Sequence, residues 1–370
     1  MTRGKRMLLP IGIHLNAEAV YMVQLEQTEG AVEVVSKAAR RFPSAPGAQG
    51  RSETLIVAEG QSFDKPASAH SEEAWQFVRE RITADGFRGT EAVVGLPAEH
   101  LVIQHVRFSP LQPEELEASL LPELRGRLPF DPRDAVIRHI VAGTVSENNE
   151  TKQDIIVLAA RREVVEAQVS AAARLGLQVV GVGVEPCAMC YPYMYAASCA
   201  PASAEGPPAL MIVYLGPRTT YVAMTRGQEM TFVKGLELGL DSVVEPIAKA
   251  KGITMGEAAE ARATWRESAT AVPEAVETYN AVRSDLDHIV DEIESCMRYH
   301  ASLARGAHID RLIFLGPEAR DRALVRVIGA HVSVPCETGN PLDAMMEKPG
   351  RYEPEPELAA AAGLSLFKAY

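Results

Sequence analysis

The sequence predicts a two-domain α/β protein made of two similarly built halves, and three observations predict it. The chain has 370 residues, 47% hydrophobic and 23% charged, which is enough for two separate cores and excludes a disordered or fibrous chain. Leu8–Leu25 (LLPIGIHLNAEAVYMVQL) and Leu210–Arg226 (LMIVYLGPRTTYVAMTR) align at an offset of 214 − 14 = 200, bringing His14-Leu15-Asn16 onto Tyr214-Leu215-Gly216 and Val20-Tyr21-Met22 onto Thr220-Tyr221-Val222. Each copy is an apolar strand, a small-residue turn and a second strand, the pattern of a β-hairpin. Between the halves, Ala196–Pro208 (AASCAPASAEGPP) has the composition of a linker.

The remaining elements follow in order. Phe42–His70 is rich in Pro, Ser, Ala and Gly and reads as a loop. Ala92–Pro97 and Leu101–Phe108 read as strands. Pro113–Leu128 reads as a helix with Pro at its start and acids in its first turn, where the dipole favours them, and Pro122 predicts a kink. Ala135–Ala142 and Ile155–Ala159 read as strands around a polar hairpin tip at Val145–Gln153. Arg161–Gly176 reads as a helix stopping on glycine. Strand–helix–strand–strand–helix of this size predicts a small inserted module. In the second half, Thr254-Met255-Gly256-Glu257 is a capping box before an alanine-rich helix. Asp285–Leu303 is amphipathic, with Leu286, Ile289, Val290, Ile293, Cys296 and Met297 on one face. Arg311–Leu315 and Gly329–Glu337 read as strands, Pro349–Glu357 as a charged turn, and Leu358–Tyr370 as a small apolar helix.

Composition also narrows the function classes. With 37 Lys+Arg against 49 Asp+Glu, the net charge is −12, which disfavours binding to a phosphate backbone, so no nucleic-acid partner is expected. Five cysteines, an odd and small number, fit a reducing compartment. The basic start, Met1–Arg6, is followed by an apolar run broken at Pro10, His14, Asn16 and Glu18, so it does not read as a secretory signal. The least charged stretch, Leu175–Ala204, is cut by glycines and prolines and reads as a buried strand and helix, not a membrane span. The expected location is the cytoplasm.

Duplicated α/β halves that each open with a strand–turn–strand suggest the actin/Hsp70-type (ribonuclease H-like) ATPase architecture, where two such turns grip a nucleotide's phosphates across a cleft. The pieces in this order resemble the PilM family of type IV pilus proteins and, more distantly, the cell-division protein FtsA. The resemblance runs from about Leu8 to Lys368. It is carried by Ile155–Val165 (IIVLAARREVV), Gly176-Leu177, Val184-Glu185-Pro186, Pro113–Leu116 with Leu128-Pro129-Phe130, Ile309–Ile313 and Ala361–Leu364. It implies a first domain over 1–91 and 177–200, an inserted subdomain over 92–176, a second core over 209–245 and 305–370, and a helical subdomain over 246–304.

The family's nucleotide positions map onto Asn16, Ala17, Gly216, Thr219, Thr220, Gly239 and Gly316, and their surroundings are altered. A first turn like G-I-D-I-G-S becomes Gly12-Ile13-His14-Leu15-Asn16-Ala17. A second like D-I-G-A-T-T becomes Tyr214-Leu215-Gly216-Pro217-Arg218-Thr219. A G-G-D segment becomes Gly239-Leu240-Asp241, and an adenosine turn like S-G-G-G-A becomes Leu315-Gly316-Pro317-Glu318-Ala319. Phosphate turns need glycine for close backbone approach, and Pro217 removes an N–H donor. Magnesium needs hard oxygen ligands, which His14 and Tyr214 do not supply, and Glu318 adds a negative charge on the adenosine side. Phosphoryl transfer rests on metal and positioning, so the sequence predicts a pseudo-ATPase with no catalytic residues, no metal site and no cofactor. ATP and Mg²⁺ enter only under the alternative reading, an active ATP-binding or ATP-hydrolysing actin-like enzyme or nucleotide switch.

Other motifs are weaker. Cys187-Ala188-Met189-Cys190 has redox-pair spacing, against a plain reading as small apolar residues opening a buried helix. Cys296 and His300 lie at i, i+4, but two ligands do not make a metal site. Gly181-Val182-Gly183 follows a strand, yet Pro186 replaces the third glycine of a dinucleotide fingerprint. Arg218 beside Thr219 and Thr220 is a candidate anion contact, and Tyr191, Tyr193 and Tyr195 read as helix packing. The expected function is that of a cytoplasmic scaffold of a type IV pilus or related secretion complex at the inner face of the inner membrane. The resemblance implies that it docks the N-terminal tail of a PilN-like membrane protein in a groove between first domain and insert. A homo-oligomer is left open.

Overall fold

Two sheets of identical topology carry the molecule. The computed structural model describes residues 6–16, 18–28, 31–42, 71–96, 98–147, 150–201, 206–303, 308–347 and 350–368. The first lobe holds β1 (Met7–Leu15), β2 (Ala19–Thr28), β3 (Ala31–Arg41), α1 (Ser71–Ala84) and β4 (Glu91–Leu96). The chain then leaves through β5 (Val102–Phe108), α2 (Pro113–Glu123), β6 (Ala135–Glu147) and β7 (Glu150–Arg161), and returns in α3 (Arg162–Arg174), β8 (Gln178–Val184), α4 (Glu185–Ala188) and α5 (Tyr191–Cys199). The second lobe runs through β9 (Ala209–Leu215), β10 (Thr220–Arg226), β11 (Glu229–Leu236), α6 (Val244–Lys251), α7 (Met255–Glu267), α8 (Pro273–Ala281) and α9 (Arg283–Leu303). It ends in β12 (Arg311–Leu315), α10 (Arg322–Gly329), β13 (Cys336–Thr338), α11 (Pro341–Ala344) and α12 (Ala359–Ser365).

The strand orders are β3-β2-β1-β4-β8 and β11-β10-β9-β12-β13, with the hairpin strands antiparallel and the last two parallel in each. Even the hairpin register repeats at the offset of 200. Leu15 faces Val20 and His14 faces Tyr21, while Leu215 faces Thr220 and Tyr214 faces Tyr221. β9 is buried at every residue, as expected of a central strand covered on both faces.

Three boundaries differ from the sequence reading. β4 pairs between β1 and β8, and Ala171, Ala172 and Leu177 join the first lobe's core with Trp75, Phe77 and Val94. The insert therefore covers 98–161, a three-stranded sheet of order β5-β7-β6 with α2 on one face, instead of 92–176. The signal was present: Ala92–Leu96 is an unbroken apolar run, whereas β5 alternates, and unbroken runs mark interior parallel strands. Second, α12 packs on β1, β2 and β4, so the chain's last elements cover the first sheet and do not stay with the second core over 305–370. Third, Gly329–Glu337 is not a strand. Gly329 ends α10, whose cap Asp321 accepts from the N–H groups of Ala323 and Leu324, and only Cys336–Thr338 is extended.

Smaller differences have local causes. The 113–128 helix ends at Glu123, directly after Pro122, so the proline sits at its terminus and not at a mid-helix kink. The expected tip at Val145–Gln153 is mostly ladder, paired out to Glu147 and Glu150. The Thr254 capping box forms as expected, with Thr254 Oγ1 accepting from the Glu257 N–H and the Glu257 carboxylate accepting from the Thr254 N–H.

Glycines set how closely α12 approaches. A Cβ on Gly12 would lie 2.0 Å from the Ala361 carbonyl oxygen, and one on Gly363 would lie 1.8 Å from that of Ala188. Gly181 and Gly183, the failed dinucleotide fingerprint, have Phe367 and Leu364 in the space a side chain would need. Their role is packing.

Candidate functional site: the cleft between the two hairpins

The hairpin tips face each other across the lobes, and several of their polar groups are committed to the protein itself, although the buried Thr220 hydroxyl has no hydrogen-bond partner. In the first tip, Asn16 Oδ1 accepts from the N–H groups of Glu18 (3.0 Å) and Ala19 (2.8 Å). A side-chain oxygen thus takes donors that an anion would otherwise use, in the manner of an Asx-turn. In the second tip, the Gly216 N–H donates to the Thr219 carbonyl (3.0 Å), while the carbonyls of Gly216 and Pro217 accept from Leu240 (3.1 Å) and Asp241 (2.8 Å).

Gly216, Gly239 and Gly316 converge on this second tip. A Cβ on Gly239 would lie 2.2 Å from the Pro217 carbonyl oxygen. Gly316, at φ +89°, has the Leu215 oxygen 2.5 Å and the Tyr214 ring 3.0 Å from its Cβ direction, and its N–H donates to Pro356 (3.1 Å). Asn16, Gly216, Thr219, Gly239 and Gly316 are therefore brought together. Thr220 is fully buried opposite Leu215, on the face away from Tyr221, and Ala17 lies outside the described residues.

The tips are tied to each other. Arg218 Nε donates to Glu18 Oε1 at 2.6 Å, joining residues at that same offset of 200. Burial pushes the Glu18 carboxyl up to about 7, with Arg218 opposing and Asp241 and Glu318 reinforcing the shift. Beside Gly316, Glu318 is fully buried but does not stand as a bare charge. Arg262 Nη2 donates to it at 2.5 Å and Arg266 also pairs with it. Burial alone would raise this carboxyl, but Arg262, Arg266 and Arg41 together hold it below the ordinary range. Arg262 further donates to the Leu240 carbonyl (2.8 Å) and to Tyr279 (3.3 Å), whose hydroxyl donates to Asp321 (2.7 Å). Arg41 reaches the Pro317 carbonyl (3.3 Å).

Beneath the tips lie His14 and Tyr214, residues that pair with Tyr21 and Tyr221 in the two hairpins. His14 Nε2 lies 3.1 Å from Glu185 Oε1, both side chains almost fully buried, and the His14 ring stacks on Tyr21. Tyr214 packs against Tyr221, and burial with the neighbouring Glu185 charge pushes its hydroxyl far up. Glu185, Glu18, Arg41, Arg262 and Arg266 were not singled out from sequence. Only Glu185 carried a signal, as part of the Val184-Glu185-Pro186 segment.

The remaining motifs resolve as packing. Cys187 and Cys190 are fully buried, and burial pushes both thiols up, Cys187 to about 12. A redox pair needs the opposite shift. Cys296 sits in the second lobe's apolar cluster with its thiol raised to about 11 by burial, while His300 lies 3.4 Å from the Thr231 hydroxyl. Tyr193 and Tyr195 are buried. Among the described residues, no helix is long and apolar enough to cross a membrane.

Two sheets of repeated topology meeting at paired hairpins, with an inserted sheet on the first lobe, define an actin-like protein. Solved structures agree. The structure titled PilM-PilN type IV pilus biogenesis complex matches with a TM-score of 0.70 at 22% identity, over 96% of this chain and 97% of that one. The ethanolamine utilization protein EutJ of Carboxydothermus hydrogenoformans matches with a TM-score of 0.52 at 14% identity, over 98% and 90%. The sequence model of the family described as type IV pilus assembly protein PilM matches residues 56–368, and the chain belongs to that family.

Proposed function

We propose that this chain is a scaffold of a type IV pilus inner-membrane assembly complex, working at the cytoplasmic face, that docks the N-terminal tail of a PilN-like membrane protein and does not hydrolyse ATP. The observation that supports the reading is a family member's cleft in which the first turn's amides are taken by the protein's own side chain and the two turns are bridged by an ion pair. Asn16 occupies the first turn's amides, Pro217 deletes one donor of the second, and Glu18–Arg218 bridges the two. His14 and Tyr214 replace the metal-side acids, and an arginine–carboxylate network fills the adenosine side. This donor set does not fit a magnesium–nucleotide complex.

Peptide docking needs none of that chemistry. β8 is the edge strand of the first sheet and is half-buried through Val179–Val184. Val182 and Val184, with Val164 and Val165 of α3, pack only partly against the cluster that includes the insert's Ile156 and Leu158. An open strand edge lined by half-covered valines suits an extended tail with apolar anchors. The test has two arms. A labelled synthetic peptide of the cognate tail binds the folded protein, and Val182→Glu weakens it by at least about tenfold. Millimolar ATP with Mg²⁺ leaves the melting temperature unchanged, where a ligand at a hundred times its dissociation constant stabilises by about 2.7 kcal/mol. A clear ATP shift with phosphate release overturns the cleft reading, and a folded protein that ignores the tail overturns the partner reading.

A further inference from the structure

A cavity of about 410 Å³ lies away from the hairpin cleft, between the insert and the second lobe. That volume is in the range of natural ligand sites. One wall is Leu101, Ile103, Gln104 and His105, the opposite wall is Phe232, Val233, Lys234 and Gly235, and α9 closes the third side with Ser295, Cys296 and Tyr299. Side chains alternate faces along a strand, so a wall made of consecutive residues presents a strand's edge, not one of its faces. Both strands are sheet edges: β5 in the order β5-β7-β6 and β11 in β11-β10-β9-β12-β13. Edge strands carry unpaired main-chain N–H and C=O groups. Here two such edges border one slot, and His105 Nε2, 2.8 Å from the Val233 carbonyl oxygen, links them.

We propose that this slot takes an extended peptide segment carrying an acidic residue and an apolar anchor, which adds as a strand to the free edge of β5. Strand addition supplies main-chain hydrogen bonds, and pockets for alternate side chains supply selectivity. The anchor rests on aromatic surface: the Phe232 ring lies 5.4 Å from the His105 ring and 5.6 Å from that of Tyr299, beside Leu101 and Ile103. The acid follows from charge. In a chain of net −12, the charged or titratable lining groups of either sign in this slot are His105, Lys234, Cys296 and Tyr299, with no carboxylate among them. Carboxylates do sit behind or beside the lining. Asp154 lies 3.7 Å from His105 and 3.5 Å from Arg107, and Glu292 accepts from Lys234 at 2.9 Å. Lys234 and Glu292 are each about one-third exposed, which leaves the ammonium open to a second carboxylate. The inference stands on this geometry and does not rest on where a membrane protein's tail docks.

The test is a displayed random-peptide library selected on the full chain and counter-selected on Ser295→Trp. Ser295 is exposed on α9, so this substitution fills the slot without entering the core. Peptides rich in Asp or Glu are expected. Synthetic copies lose at least about tenfold in affinity on Ser295→Trp and several-fold on Lys234→Met, and keep it on Ser302→Trp at the exposed end of the same helix. N-methylation of alternate peptide residues abolishes binding in one register and spares the other, as a one-sided strand pairing requires. Four results overturn the proposal: no peptide that depends on the slot, equal loss on Ser302→Trp, selection of basic sequences, or indifference to N-methylation, which would mark a side-chain pocket for a small molecule.

Discussion

Glu18→Gln isolates the cost of tying the two hairpin tips with an ion pair. The Glu18 carboxyl stands at about 7 in the folded protein, against an ordinary value near 4.5, because burial opposes its charge more than Arg218 rewards it. Between those values the unfolded chain has already released the proton while the folded chain retains it, so this group's contribution to stability falls as pH rises through the interval. A difference of about 2.5 units corresponds to roughly 3 kcal/mol, fully expressed above pH 7 and absent below about pH 4. Glutamine mimics the neutral acid. The Glu18→Gln protein should therefore match the parent near pH 4 and exceed it by up to roughly 3 kcal/mol at pH 8, with Arg218, about one-third exposed, left to solvent. Chemical denaturation of both proteins at half-unit pH steps reads the difference directly, since other carboxylates cancel between them. A substituted protein less stable than the parent at pH 8, or a pH-independent difference, would refute the account and show the bridge to be net favourable.

Other perturbations probe the rest of the cleft and core. Arg262→Met should destabilise by about 3 kcal/mol in denaturant unfolding, since it strips one of two arginines from fully buried Glu318, and adding Glu318→Gln should recover most of the loss. Failure of that rescue would place the cost in packing. Gly363→Ala and Gly12→Ala should abolish soluble expression, because each Cβ would meet backbone that cannot yield, whereas Gly252→Ala, at φ +66° with open space around it, should cost only about 1 kcal/mol by thermal melting. Under native alkylation followed by mass spectrometry, exposed Cys199 should react while Cys187 and Cys190 stay unmodified until the protein is unfolded; native labelling of either would reopen the redox reading.

Much of the fold was legible because it is written in local patterns. The hairpins carry their own alternation, and the 200-residue offset between the two copies reappears as equal register, His14 facing Tyr21 and Tyr214 facing Tyr221. The Thr254 box and the α9 stripe were likewise readable. What went astray were questions of partnership. β4 is an unbroken apolar run from Ala92 to Leu96 and β5 mixes polar residues among its apolar ones, a difference of pattern that hints at separate sheets, and the pairing assigns one to the first sheet and the other to the insert. The same holds for α12, whose small apolar residues suit either lobe.

The sequence by itself determined which groups line the cleft: the His14 imidazole, the Tyr214 phenol, Pro217 without an N–H donor, and the Glu318 carboxyl. Residue identity settles which atoms can donate or ligate. Only the tertiary structure decided what these groups meet. Glu18 and Arg218 are 200 residues apart, and Glu318 meets Arg262 and Arg266 across more than 50 residues of chain. Whether a buried charge is bare or neutralised depends on distances of a few ångströms between side chains that no local pattern relates.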